Sequence, residues 1–291
     1  MDLCNKCLSG PYTSQETMRK NTNSKPVTHT AIRQKKADSL TKPSKDEAGD
    51  KCGEGSSCGN ISNAYQSLED LRTAIDCHES RLEIAQEVGD KAAEEAANRN
   101  LGAVYFILGD FKTAIGYHER CLKIAQEVGD KVREGGAYGN LGNAYHCLGD
   151  FKTAIDYHER HLKLSKDVGD KGGVGIAYGN LGIAYDSLGD FKKAIDYYER
   201  VLKLAQQVGA KAGEGKAHGN LGIAYNNLGD FKRAIDHQKR CLKIAKEVGD
   251  KAGEGKAHGN LGNAYIALGD FKTAIECYEC HLKIAKEKPI N

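Results

Sequence analysis

The sequence has no tryptophan, and its 291 residues include only two methionines, four prolines and six phenylalanines. So little proline leaves long helices uninterrupted, and the scarcity of large aromatic rings leaves a core to be built from Leu, Ile, Ala and Tyr. No apolar run approaches the roughly 20 residues that a bilayer-crossing helix needs. The opening MDLCNKCLSG also lacks the apolar centre of a secretory signal. A cytoplasmic chain without membrane insertion is therefore expected. Net charge is nearly missing too: it is +2 overall, and the residues up to Asp50 hold nine Lys/Arg against six Asp/Glu, which leaves 33 against 34 for the rest. Without a basic face, nucleic acid is not expected as a partner. Metal-ligand clusters are equally scarce. Cys4 and Cys7 form a lone C-x-x-C, and Cys52 and Cys58 are too far apart to complete a zinc set, so neither metal nor cofactor is expected. Cys121 and Cys241 align with His161 and Val201, and Cys147 with Ser187. Cysteines so placed argue against a disulfide framework and for thiols in a reducing compartment.

What the chain does have is repetition. GNLGNAYHCLGDFKTAIDYHER from Gly139 aligns without a gap on GNLGIAYDSLGDFKKAIDYYER from Gly179, GNLGIAYNNLGDFKRAIDHQKR from Gly219 and GNLGNAYIALGDFKTAIECYEC from Gly259, a period of 40 residues. RNLGAVYFILGDFKTAIGYHER from Arg99 is a further copy, and GNISNAYQSLEDLRTAIDCHES from Gly59 is a more divergent one. Such a period means that each unit buries its apolar face only against its neighbours, making one continuous core. The expected organisation is a polar, disordered leader over 1–49 and six units over 50–288, followed by a tail at 289–291. The units run about 50–90, 91–130, 131–170, 171–210, 211–250 and 251–288.

Within one unit, Gly149-Asp150 divides the segment, and Gly129-Asp130 and Gly169-Asp170 bound it. Glycine suits the left-handed residue that ends a helix and aspartate the N-cap of the next, so each unit predicts two helices and a tight turn. At about 100° per residue, Tyr138, Leu141, Gly142, Ala144, Tyr145 and Leu148 fall on one stripe of the first helix, the predicted buried side. Gly142, without a side chain, predicts a close approach there. The opposite face carries Gly136, Gly139, Asn140, Asn143 and Cys147 and is too weakly apolar to be core, so it predicts the lining of an open groove. In the second helix, Phe151, Ala154, Ile155, His158, Leu162 and Val168 recur on the side predicted to pack inward.

The L-G-x-x-Y of Leu141, Gly142 and Tyr145, followed by Ala154, resembles the tetratricopeptide repeat signature. The longer run NLGNAYxxLGDFxxAIxYHExxLxIAxExGD resembles more narrowly the repeats of the Pins/LGN family of G-protein-signalling modulators. The resemblance implies an all-α solenoid of six helix-turn-helix repeats, about twelve helices, wound as a right-handed superhelix whose inner face of first helices captures extended peptides. It also implies an adaptor role at the cell cortex and cytoskeleton during spindle orientation, with NuMA and Inscuteable-type partners. Members of that family usually end in GoLoco motifs that bind Gα subunits. None occurs before Asn291, which sets the expectation against direct G-protein regulation.

On the predicted groove side, Asn60, Asn100, Asn140, Asn180, Asn220 and Asn260 hold one position in all six units. A second position holds Asn63, Asn143 and Asn263, with Ala103, Ile183 and Ile223 in the other units. An amide both donates and accepts, which matches the backbone of an extended peptide whatever its sequence. The alternative is that this Asn serves only backbone groups of a neighbouring repeat. Selectivity would come from the letters that vary: Phe106, Asp186, Asn226 and Asn227, and Lys216 and Lys256 where earlier units carry Ser56, Ala96, Gly136 and Ile176. The expected ligand is a peptide of a partner protein, apolar at one end and acidic at the other. With neighbouring helices about 10 Å apart and about 3.3 Å per extended residue, the groove takes roughly 15 to 20 peptide residues.

No enzyme is expected, since His78, His118 and His158 give way to Tyr198, Gln238 and Tyr278 at the same position, a pattern of packing rather than proton transfer. The alternative function is a structural, self-associating array, suggested by KAGEGKAHGNLG in both of the last two units and by Leu282 and Ile284 in an uncapped final helix.

Overall fold

The computed structural model describes residues 71–286. Among them the chain forms eleven helices and no strand. In order they are α1 Leu71–Val88, α2 Lys91–Ile107, α3 Phe111–Val128, α4 Lys131–Leu148, α5 Phe151–Asp167, α6 Lys171–Ser187, α7 Phe191–Gln207, α8 Lys211–Asn227, α9 Phe231–Val248, α10 Lys251–Ala267 and α11 Phe271–Lys286. The segment expected to supply a further helix before α1, like the leader and its cysteines, lies outside the described residues. The chain divides into two compact units, one ending at Ala97 and one beginning at Asn98, with the division inside α2.

In the first unit, α1 buries Ala74, His78, Leu82, Ile84 and Ala85. Asp90 opens α2 by accepting from the Ala92 and Ala93 N–H groups at 3.0 Å. Gln86 and Glu94 join across this turn at 3.3 Å.

In the second unit the same turn recurs every 20 residues. Gly129 shows why: its φ of 71° is open to glycine at no steric cost, and it lets the Gly129 N–H reach Gln126 O while the Asp130 N–H reaches Ala125 O at 2.9 Å. The aspartate that follows each glycine then caps the next helix. Asp150, for example, accepts from the Thr153 N–H at 3.1 Å and from its hydroxyl at 2.7 Å. The turn into α8 departs from this pattern, because Ala210 stands at the cap and gives no side-chain bond.

Helices α3 to α11 each lie against the next in sequence, and α4 also touches α6 as α8 touches α10, so first helices adjoin across repeats. Leu141, Leu181 and Leu221 of the first helices and Ala154, Ala194 and Ala234 of the second are fully buried. Burying one such leucine is worth about 2 kcal/mol. The glycine of the predicted close approach lies under a side chain of the following helix in every pair: Gly102 under His118, Gly142 under His158, Gly182 under Tyr198, Gly222 under Gln238 and Gly262 under Tyr278. A Cβ at any of these glycines would come within 3.0 Å of that side chain. The recurring His/Tyr/Gln position is therefore a packing position.

Three expectations need correction. Leu148, placed on the buried stripe, is 43% exposed, and Val168 is 41% exposed. Both sit where the chain leaves the helix for a Gly-Asp corner, Leu148 at its last residue and Val168 at its C-cap. Gly139, assigned to the open face, is buried, and a Cβ there would lie 3.1 Å from His161 Nδ1.

Candidate functional site

The face opposite the buried stripe is formed by the first helices α2, α4, α6, α8 and α10. Asn100, Asn140, Asn220 and Asn260 are half-buried on it, while Asn180 is 6% exposed and its Nδ2 has no partner. Asn60 and Asn63 lie outside the described residues. At the second position Asn143 is half-buried, and Asn263 is exposed and accepts from the Tyr278 hydroxyl at 2.6 Å. A buried amide donor without an acceptor is costly, of order 1–3 kcal/mol, and Asn180 lies deeper than its equivalents on the other described first helices.

The varying positions differ in chemistry from repeat to repeat. Phe106 is half-buried and meets Phe111 edge-on at 5.3 Å. Ile176 stands exposed on α6, and Lys216 and Lys256 are exposed at the equivalent place on α8 and α10. Asn226 is half-buried, and its Oδ1 finds no partner.

Sequence reasoning missed how these ends tie together. His146 Nε2 lies 2.9 Å from Ser187 Oγ, and Asn227 Nδ2 donates to Asp186 Oδ1 at 3.3 Å. Each pair spans 41 residues, one period plus one step, and so links successive first helices. That offset is the one trace of the pairs in the sequence. Burial raises the Asp186 carboxyl above its usual range, with the Asn227 bond partly offsetting this, and burial lowers the His146 imidazole. Asp186 turns to Asn227 rather than orienting His146, so the His, Ser and Asp found close together here do not make the relay of a nucleophilic triad.

A second missed feature is an aromatic column between the helices of the pairs α4–α5, α6–α7 and α8–α9. Tyr145 stacks on Tyr157 at 5.4 Å, and the Arg160 guanidinium covers both Tyr138 and Tyr157. Tyr185, Tyr197, Tyr178 and Arg200 repeat this arrangement. In the next pair both equivalents of Tyr178 and Tyr197 are histidine, and His218 Nδ1 lies 3.0 Å from His237 Nδ1, a distance that requires one ring to donate and the other to accept. Burial and then the neighbouring His218 lower His237 to about 4. Among the described residues no group of three or more His, Cys, Asp or Glu side chains could hold a metal ion, and no disulfide joins the cysteines. No helix there is long and apolar enough to cross a membrane.

Family models described as tetratricopeptide repeat match residues 58–127, 90–167, 133–207 and 214–287, and a further one matches 180–247. No curated protein matches the chain. Among solved structures, BtubC (BKLC) from P. vanneervenii is similar at 26% identity and a TM-score of 0.67, over 74% of this chain and 91% of that one. The signal transduction ATPase with numerous domains from Pyrococcus horikoshii, which carries a tetratricopeptide repeat sensor, matches at 20% identity and a TM-score of 0.71, over 81% of this chain and 37% of that one. A Rap protein complexed with Competence and Sporulation Factor matches at 16% identity and a TM-score of 0.61, over 80% and 75%.

Proposed function

The chain belongs to the tetratricopeptide repeat family, and from that premise we propose that it is a non-enzymatic interaction scaffold holding an extended peptide segment of a partner protein along its first helices. The observation that carries this reading is the composition of that face. One amide position recurs, half-buried at Asn100, Asn140, Asn220 and Asn260, while the side chains beside it change from Phe106 through Asp186 to Lys216 and Lys256. A constant amide suits any peptide backbone, and the changing neighbours suit one sequence over another. The Rap protein complexed with Competence and Sporulation Factor supports the reading, since a similar fold there holds a bound factor.

In this reading six units wind as a right-handed superhelix with the first helices inside, and Asn60, Asn63, Asn100, Asn140, Asn143, Asn220, Asn260 and Asn263 share the ladder with Asn180. Phe106 takes an apolar ligand residue, and Asp186, Asn226 and Asn227 form the middle of the face. Lys216 and Lys256 take acidic ligand residues. The likeness of the repeat run to Pins/LGN repeats supports a cytoplasmic adaptor acting at the cell cortex. The test is selection of peptides from a display library on the full chain. Selected peptides should carry acidic residues toward one end, and Lys216→Glu with Lys256→Glu should lower their affinity at least tenfold, about 1.4 kcal/mol. Peptides without charge bias, or affinity unmoved by the double reversal, would refute it.

A further inference from the structure

Each of the first helices α4, α6, α8 and α10 carries a single carboxylate, and the one on α6 is placed unlike the rest. Glu134, Glu214 and Glu254 sit in the first turns of α4, α8 and α10, where the helix dipole favours negative charge. Each takes the lysine three residues before it, at 2.7, 2.8 and 3.0 Å. Helix α6 has Val174 at that place, and its carboxylate, Asp186, stands in the last turn, where the dipole opposes it. Asp186 is half-buried, and among the described residues no Lys, Arg or His pairs with it. His146 turns to Ser187, and Lys193, in the helix that follows, pairs with Asp190 at 3.4 Å. What Asp186 does receive is a neutral bond, the Asn227 amide from α8 at 3.3 Å.

The surroundings of this carboxylate are apolar or uncharged. One turn before it on α6 stands the half-buried Ile183, and the equivalent Ile223 of α8 is 36% exposed, where α4 and α10 carry Asn143 and Asn263. The positions matching Asp186 on α4 and α8 are His146 and Asn226. A half-buried charge at the wrong end of a helix, without a counter-ion, costs the free chain stability, and departures of this kind gather at functional sites. An aliphatic strip that ends in a carboxylate matches a long basic side chain, whose methylene stem lies on the isoleucines while its head reaches the acid.

We propose that Asp186, with Ile183 and Ile223 beside it, selects a lysine or arginine in the bound segment of the partner protein. The Asn227 amide holds the carboxylate in place for that contact. This rests on the peptide reading and sharpens it: between an apolar residue at Phe106 and acidic residues at Lys216 and Lys256, the segment carries a basic one.

Selection from a random peptide display library tests it, run in parallel on the full chain and on Asp186→Asn, which keeps an acceptor for Asn227 and removes only the charge. Peptides taken by the parent should be enriched at least threefold in Lys or Arg at one position. Asp186→Asn should lose that enrichment and still select peptides acidic toward one end. Moving the charge one repeat on, by Asp186→Asn with Asn226→Asp, should bring the basic position about three residues nearer the acidic end, given about 10 Å between helices and about 3.3 Å per residue. Without peptide, Asp186→Asn should raise the thermal midpoint by about 2 °C, read by circular dichroism, since an uncompensated charge is gone. Peptides without a basic position, or a basic position kept in Asp186→Asn, overturn this inference and leave the peptide reading standing. A lowered midpoint for Asp186→Asn also overturns it, because the carboxylate would then serve the fold. Recovery of no peptide by either chain refutes the peptide reading and this inference with it.

Discussion

Helices α9 and α11 share most of their sequence, FKRAIDHQKRCLKIAKEV against FKTAIECYECHLKIAK, yet one is core and the other surface. Ile235 is buried where Ile275 is exposed, and Ala234 and Ala274 are both covered because each faces the first helix of its own pair. Burial in this chain thus belongs to the neighbour more than to the letter. An amphipathic helix in a repeat array has two packing duties, one toward its own partner and one toward the next unit, and only the first can be met within a single unit.

The largest test of this contrast is a charge at the shared isoleucine. Ile235→Asp buries a carboxylate among Leu261 and Ala264 and should cost about 4 kcal/mol, while Ile275→Asp should change stability by less than about 0.5 kcal/mol in dilute monomer, both read by urea denaturation. Equal costs would break the comparison.

Next is acid. The buried rings of His118 and His158 are held down to about 4 and about 3 by burial foremost, from an ordinary value of 6.5. The folded chain leaves them unprotonated where the unfolded chain binds protons, so stability is full above pH 6.5 and falls as pH drops, to about 4 for His118 and to about 3 for His158, levelling off below. Each contributes up to about 1.4 kcal/mol per pH unit in that window. His158→Tyr, the residue used at Tyr198, should flatten the slope of thermal stability against pH.

Smaller is the glycine contrast. Gly142→Ala drives a methyl into the His158 ring and should cost about 2 kcal/mol, whereas Gly136→Ala, with nothing within 4 Å, should stabilise by about 0.5 kcal/mol. A gain is also expected at a cap. Helices α8 and α10 begin with the same letters, but Asp250 caps α10 through the Gly253 N–H at 2.9 Å while Ala210 caps nothing, so Ala210→Asp should raise stability by about 1 kcal/mol in thermal unfolding.

The turns and helix pairs were legible because Gly and Asp fix backbone conformation locally, and the 40-residue period assigns every Leu141-type residue a neighbour. Leu148 and Val168 were misread because a helical wheel records angle but not distance along the axis, and both stand at the very end of their helices beside a Gly-Asp corner. The Asp186 to Asn227 and His146 to Ser187 pairs were hidden because they depend on how far one repeat is displaced from the next, which a one-residue excess over the period reveals only afterwards. The recurring Asn position was legible as a repeated letter. That Asn180 is the most deeply buried of the described copies was not, since the depth comes from its neighbours and the letter is constant.

The central claim is that repeating letters hold the stack and the changing letters beside Asn on the first helices bind. The most direct measurement is calorimetric affinity of one display-selected peptide for two matched variants, Asn140→Ala with Asn180→Ala on the first helices and Glu159→Ala with Glu199→Ala on the exposed second helices. The account predicts at least a tenfold loss for the first pair and none for the second. Undiminished binding by the asparagine variant, or a loss confined to the glutamate variant, would contradict it.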